Sequence, residues 1–197
     1  RGAILIVSDN QGQKIIEKQG LKVPIYVFKE PREILALMAA SFFKSHPLNI
    51  IGITGTNGKT SVAHYSRQLW QFLGEEAASI GTIGTDGLID LPLGLTTPDP
   101  IKLHWLLSLM AEKEINNVVI EASSHGLIQH RLDGVKFSIG AFTNLSRDHF
   151  DYHENMKSYF EAKSILFQRL IPSNGGAVIC IDDKHGFNMF NLAKTNL

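Results

Sequence analysis

The 197-residue chain has one cysteine, no surplus of either charge and no long apolar run. Each lack removes a class of protein. A lone thiol, Cys180, cannot form an internal disulfide, so the fold does not rest on a cystine framework and suits a reducing compartment. With 19 Lys and Arg against 19 Asp and Glu, the chain has no net basic charge to mark a general nucleic-acid binder. No apolar stretch approaches the roughly 20 residues that a membrane-crossing helix needs. These lacks predict a cytoplasmic protein with neither nucleic acid nor membrane as partner, in which an anionic ligand is held by a few placed residues. An initiator Met, a signal peptide, internal repeats and low-complexity segments are also missing. The chain opens directly on the strand-like Ala3 to Val7 and reads as starting inside a longer protein.

What is present is a 44% apolar composition, enough for a buried core at this length. The first 46 residues alternate β-rich runs (Ala3 to Val7, Val23 to Phe28) with helical stretches (Gln13 to Gln19, Pro31 to Phe43). Such a unit, residues 1–46, is thin for an independent core. From residue 47 the pattern resets to strand and helix in alternation, which predicts an α/β fold with a mostly parallel sheet and crossover helices over 47–197. The expected strands are Asn49 to Thr54, Ala77 to Gly81, Asn117 to Ala122, Ser138 to Thr143 and Ala177 to Ile181. The expected helices are Lys59 to Leu73, Pro100 to Lys113 and Asn155 to Leu170. Asp99 suits an N-cap with Pro100 in the first turn. Thr82 to Pro98, rich in Gly and Pro, reads as a loop.

The strongest local pattern is Gly52-Ile53-Thr54-Gly55-Thr56-Asn57-Gly58-Lys59-Thr60-Ser61, set between an apolar strand and an amphipathic helix. Glycines let backbone N–H groups turn in around a phosphate, and a helix N-terminus adds a positive dipole end. Gly55, Thr56, Asn57, Gly58, Lys59, Thr60 and Ser61 are therefore the expected ATP-binding residues. Lys59 would supply charge to the β- and γ-phosphates, and the Thr60 hydroxyl would ligate Mg²⁺. The spacing departs from the general phosphate-loop pattern, because Ile53 stands where its first glycine belongs.

Further along, Glu121 ends a very apolar strand at the edge where sheets of this class bind ligands. An acid there either coordinates the nucleotide's Mg²⁺ or pairs with a nearby base. Ser123, Ser124, His125, Gln129 and Arg131 follow in one polar loop, which either grips an anion through Arg131 or caps a helix. Four of the eight histidines, His125, His130, His149 and His153, lie in this part of the chain. No zinc spacing accompanies them, and His149 stands out by following a strand end. Periodicity alone makes Lys163, on a helix with Phe160, Leu166, Phe167 and Leu170, a surface lysine with a buried stem.

Taken together, the phosphate loop, Thr96-Thr97-Pro98, Glu121 to Leu127 with Gln129 and Arg131, Phe142 to His153, and Tyr159 to Phe167 resemble the Mur ligase family. The likeness runs from about residue 48 to Asp183 and points to the MurE branch, which adds the third amino acid of the peptidoglycan stem. The resemblance implies an acid–amino-acid ligase. ATP would activate the D-Glu carboxylate of UDP-MurNAc-L-Ala-D-Glu as an acyl phosphate, which a diamino acid, meso-diaminopimelate or L-lysine, then attacks. It implies Lys59, Lys163 and His149 as catalytic residues and two Mg²⁺ ions, one at Thr60 and Glu121, the other at His149 and Lys163. Lys163 would be a CO₂-derived carbamate, which reverses its local reading. Thr96, Thr97, Ser123, Gln129 and Arg131 match acceptor-binding positions.

Two departures stand out: Ser61 replaces a frequent second Thr, and Leu95 replaces a frequent Asn, which puts one substrate hydrogen bond in question. The resemblance places 1–46 in a UDP-substrate-binding domain and 47–197 in an ATP-binding domain, with the C-terminal ligase domain absent. The enzyme implied is a monomer, and the 197 residues alone are expected to be inactive in ligation. Folylpolyglutamate and cyanophycin synthetases share the phosphate loop but not the Thr-Thr-Pro and EASSHGL sets. A non-catalytic nucleotide module or a small-molecule phosphotransferase is the alternative from another class.

Overall fold

The computed structural model describes residues 2–87, 90–148 and 152–197. The chain begins with a two-stranded parallel sheet, β1 (Ile6–Ser8) and β2 (Ile25–Val27), joined by α1 (Asn10–Lys18). Asp9 caps α1 by accepting the Gly12 N–H at 2.7 Å, which starts that helix earlier than its apolar periodicity suggests. Next comes α2 (Pro31–Phe42), and then the larger sheet. Its elements are β3 (Asn49–Thr54), α3 (Lys59–Phe72), β4 (Ala77–Gly81), β5 (Gly84–Asp86), α4 (Pro100–Glu112), β6 (Asn117–Glu121), α5 (Ser124–Ile128), β7 (Ile139–Phe142), α6 (Met156–Ile165), β8 (Gly176–Ile179) and α7 (Lys184–Asn196).

The six strands lie in the order β5-β4-β6-β3-β7-β8, parallel except for β5. This is the expected α/β class with its mostly parallel sheet. Alternation along the strands sorts side chains to two faces. Ile50, Val118 and Ile120 meet Leu103, Leu106, Leu107 and Met110 of α4, while Ile53 and Val119 pack with Ala63 of α3. Each fully buried aliphatic side chain of this kind contributes about 1.5–3 kcal/mol. From β3 the chain first goes to β4 and β6 on one side and later returns to β7 on the other. The C-terminal end of β3 is thus a topological switch point, where crevices form in open α/β sheets.

Three features differ from the sequence expectation. Part of the stretch read as a loop is β5, antiparallel to β4 through Ser79 and Asp86, Ile80 and Thr85, and Gly81 and Gly84. The helix expected over Asn155 to Leu170 is α-helical only to Ile165 and continues as one π-helical turn, Leu166–Leu170. Finally, α5 and α7 form where no helix was expected, each with an acceptor side chain at its N-cap, Ser123 and Asp183.

Candidate functional site

The Gly55–Gly58 turn leaves the C-terminal end of β3. Gly55 has φ +146°, and a Cβ there would run into the Thr143 hydroxyl, so the close approach of β7's end requires glycine. Gly58 has φ +84° and is the N-cap of α3. The strand end beside it pins the loop: Thr56 N–H donates to Asn144 O at 2.9 Å, and Asn57 N–H to Asn144 Oδ1 at 3.0 Å. Thr143 Oγ1 and Asn144 Nδ2 donate to Asn57 O at 2.7 and 3.1 Å. Lys59 folds back, its Nζ donating to Gly55 O at 2.9 Å and Thr56 O at 2.8 Å. Burial holds its pKa below the usual lysine range, against the pull of Glu121 and Asp148. Ser61 is exposed in the first turn of α3.

Glu121, at the end of β6, is 1% exposed. Its carboxylate accepts from Thr60 Oγ1 at 3.0 Å, from the Thr82 N–H at 2.9 Å and from Thr82 Oγ1 at 3.1 Å. Gly81 makes room for it, since a Cβ there would overlap the carboxylate. The direct partners of Glu121 are hydroxyls and a backbone amide, and Lys59 lies near enough to feel its charge. A carboxylate and two hydroxyls form the hard oxygen set that suits Mg²⁺. Among the described residues no three of His, Cys, Asp and Glu converge on a metal position, so Thr60 and Glu121 would share an ion with the nucleotide's own oxygens.

Thr82 also links to the acceptor side, its hydroxyl lying 3.0 Å from Thr96 Oγ1. Beside it, buried Thr97 donates to Glu121 O at 2.7 Å and accepts the Ser123 N–H at 3.0 Å. Ser123 Oγ lies 2.9 Å from the Thr97 hydroxyl and caps α5 through the Gly126 N–H. Arg131 donates to Thr97 O at 2.8 Å and to Gln129 Oε1 at 2.6 Å. The five acceptor-side candidates thus form one connected loop cluster beside Glu121. The helix-capping reading of that loop holds at Ser123, and Arg131 is braced by Thr97 O and Gln129 Oε1.

Lys163 overturns the local expectation of a surface lysine: it is 1% exposed. Its Nζ donates to Gly55 O at 2.8 Å, the carbonyl that Lys59 also uses, and lies 4.2 Å from the centre of the Tyr159 ring. Burial first, and then Lys59, lower its pKa to about 7. His149 lies outside the described residues. Sequence reasoning missed Thr82 and Tyr159. A lone Thr in a Gly-rich turn carries no motif, whereas Tyr159 stands four residues before Lys163 and so shares its helix face.

The profile of the Mur ligase middle domain matches residues 53–196. The chain belongs to the Mur ligase family. Among family members it is 47% identical, over 194 residues, to the UDP-N-acetylmuramoyl-L-alanyl-D-glutamate--2,6-diaminopimelate ligase of Bradyrhizobium diazoefficiens, an alignment covering 98% of this chain and 39% of that protein. A ligase of the same name from Zymomonas mobilis is 49% identical over 158 residues, covering 80% of this chain and 32% of its own length. The chain therefore spans at most about two-fifths of these curated relatives. A solved ligase of that name superposes with TM-score 0.79 at 35% identity, covering 90% of this chain and 36% of that one. Escherichia coli FolC, solved with DHPP and ADP, shares the fold at TM-score 0.63 and 14% identity, covering 84% and 44%. No helix among the described residues is long and apolar enough to cross a membrane.

Proposed function

We propose that this Mur ligase chain carries the ATP and acceptor sites of an amide ligase that joins 2,6-diaminopimelate to UDP-MurNAc-L-Ala-D-Glu in peptidoglycan synthesis. One observation carries the reading. Glu121 is held by Thr60, at the start of the phosphate-loop helix, and by Thr82, which also meets Thr96, so nucleotide side and acceptor side share one buried carboxylate. The relatives, named as 2,6-diaminopimelate ligases, favour diaminopimelate over L-lysine as the added residue.

In this reading the γ-phosphoryl of ATP passes to the D-Glu carboxylate, giving an acyl phosphate and ADP. The diaminopimelate amine attacks the acyl carbon, and the tetrahedral intermediate expels phosphate and loses a proton to leave the amide. The difficulty is anion meeting anion, which placed positive groups relieve. Lys59 exchanges its bonds to Gly55 O and Thr56 O for the β- and γ-phosphates, while Gly55, Thr56, Asn57, Gly58 and Ser61 complete the loop. Thr60 and Glu121 would hold one Mg²⁺, and Lys163, as carbamate, would hold a second with His149. When bound, the two ions neutralise charge on the phosphoryl oxygens. Carbamate forms when the neutral Lys163 amine adds to CO₂ and releases a proton. An amine whose pKa is lowered to about 7 is neutral far more often than a surface lysine, which supports that modification. Thr96, Thr97, Ser123, Gln129 and Arg131 hold the acceptor, with Thr97 O and Gln129 fixing the Arg131 fork in advance. Residues 1–46 belong to a UDP-substrate unit and 47–197 to the ATP unit of a cytoplasmic monomer.

The test is Lys59→Ala in a protein carrying this chain, supplied with ATP, Mg²⁺, UDP-MurNAc-L-Ala-D-Glu and radiolabelled diaminopimelate. Ligation and ADP release should fall together by at least about 100-fold, as for loss of a charge-stabilising group. A near wild-type rate overturns the phosphate-site assignment. Carbon-13 NMR in labelled bicarbonate should show a carbamate signal that Lys163→Met abolishes.

A further inference from the structure

Tyr159 is buried in α6 at the meeting of segments far apart in sequence. A phenylalanine would fill the same space, and a buried hydroxyl is costly unless it is used. Here it is used on the phosphate loop: the Thr56 hydroxyl shares its hydrogen between Tyr159 Oη at 3.4 Å and Ser146 O at 3.3 Å, while accepting the Ser146 N–H at 3.0 Å. The face of the same ring lies 4.2 Å from Lys163 Nζ, an arrangement that draws a lysine head to one position. His153, itself buried, packs against the ring with centroids 4.7 Å apart. Its Nε2 is 2.9 Å from Ser124 Oγ in α5, next to Ser123 of the acceptor cluster.

We propose that Tyr159 is a positioning residue for nucleotide binding, setting Thr56 and Lys163 in register with the acceptor loop without touching substrate. The proposal rests on the nucleotide reading above. Its chemistry is ordinary. The hydroxyl fixes the rotamer of a residue inside the phosphate loop, whose backbone is already tied to Asn144, and the ring fixes the lysine four residues along the same helix.

The experiment titrates the full 197-residue chain with a fluorescent ADP analogue and Mg²⁺, comparing wild type, Lys59→Ala, Tyr159→Phe, Tyr159→Leu, Thr56→Val and the Tyr159→Phe/Thr56→Val pair. Tyr159→Phe should melt near the wild-type temperature yet bind roughly threefold to tenfold more weakly, as expected for one neutral hydrogen bond. The double variant should bind no more weakly than Thr56→Val alone, because the hydroxyl acts through Thr56. Tyr159→Leu should weaken binding further and shift the Lys163 Nζ resonance. If Tyr159→Leu does not fold, Tyr159→Phe, which keeps the ring, decides. Wild-type affinity in Tyr159→Phe, or additive losses in the double variant, overturns the proposal while leaving the nucleotide reading intact. Equal binding by wild type and Lys59→Ala, or no saturable binding by wild type, overturns the nucleotide reading and the proposal with it.

Discussion

Lys59 and Lys163 both end on the carbonyl of Gly55, two cationic groups on one backbone dipole. The arrangement is costly for the charged form of Lys163, whose pKa is lowered from 10.5 to about 7, first by burial and then by Lys59. A lysine whose pKa falls on folding binds protons more readily in the unfolded chain between those values. Stability should therefore rise with pH from about 7 to about 10.5 and be flat, as far as this group is concerned, on either side. Melting in CO₂-free buffer checks the sign. Lys163→Met should stabilise the chain at pH 6.5, and its advantage should shrink steadily as pH rises to 10. An advantage independent of pH would mean that Lys163 titrates as a surface lysine. The same depression explains how one residue can be a lysine to the local pattern and a carbamate in the proposed enzyme, since CO₂ adds only to the neutral amine.

At the scale of elements, the position of Glu121 depends on a hairpin that contributes no catalytic group. Thr82 sits in the turn between β4 and β5, and β5 is clipped to α3 by Arg67 Nη2 on Asp86 Oδ2 at 2.9 Å, with His64 Nδ1 on the same oxygen at 3.0 Å. Arg67 is only 8% exposed, so Asp86→Ala leaves a largely buried guanidinium without its anion. That change should lower stability by about 1–3 kcal/mol in denaturant unfolding. Through Thr82 it should also weaken nucleotide binding more with Mg²⁺ than without. An equal loss in both conditions would confine the clip to folding. This hairpin also marks where the sequence stops being legible. β3 and β4 can be read to the residue because apolar runs end there at glycine. Gly84-Thr85-Asp86 offers no alternation, and its strand character comes from pairing with β4 and with Leu91, while Arg67 holds Asp86 by charge. The phosphate loop and Glu121 can be read because motif and strand end coincide. The burial of Lys163 cannot, because it is decided by a carbonyl 108 residues away in sequence. α7, which the sequence expectation lacked, starts where Asp183 accepts the Gly186 N–H and buries Met189 and Ala193 in the core.

Across the whole molecule, burial is unevenly shared between the two sheets. α1 has no buried residue and α2 only Ala36 and Ala39, while β4 and β6 are buried throughout. The joint is where α2 lies on α4. There a Cβ on Gly134 would meet Ala40 Cβ at 2.6 Å, and the His46 ring, just past α2, stacks on His104 with centroids 5.3 Å apart. His104 donates from Nε2 to Asp133 O at 2.9 Å, whereas both nitrogens of His46 are buried with no well-formed hydrogen bond among the described residues. Burial, then His104 and Lys136, lower the His46 pKa from 6.5 to about 4. The unfolded or opened joint takes up a proton first, so its stability is complete above about 6.5 and is lost as pH falls toward 4. Hydrogen exchange should show this as a graded response. Amides of β1, α1 and β2 should exchange through local opening at pH 7, well before those of β3 and β6. At pH 4.5, about two units below the ordinary histidine value, amides of α2 should lose roughly 60-fold in protection factor relative to pH 7, while β3 and β6 change little. His46→Leu should shrink that pH response without abolishing the joint, because the ring's contact area is kept and its protonation is not, while buried His104, whose pKa burial also lowers, leaves a remainder. Loss of protection spread evenly over both sheets would instead place the acid-sensitive groups in the larger core.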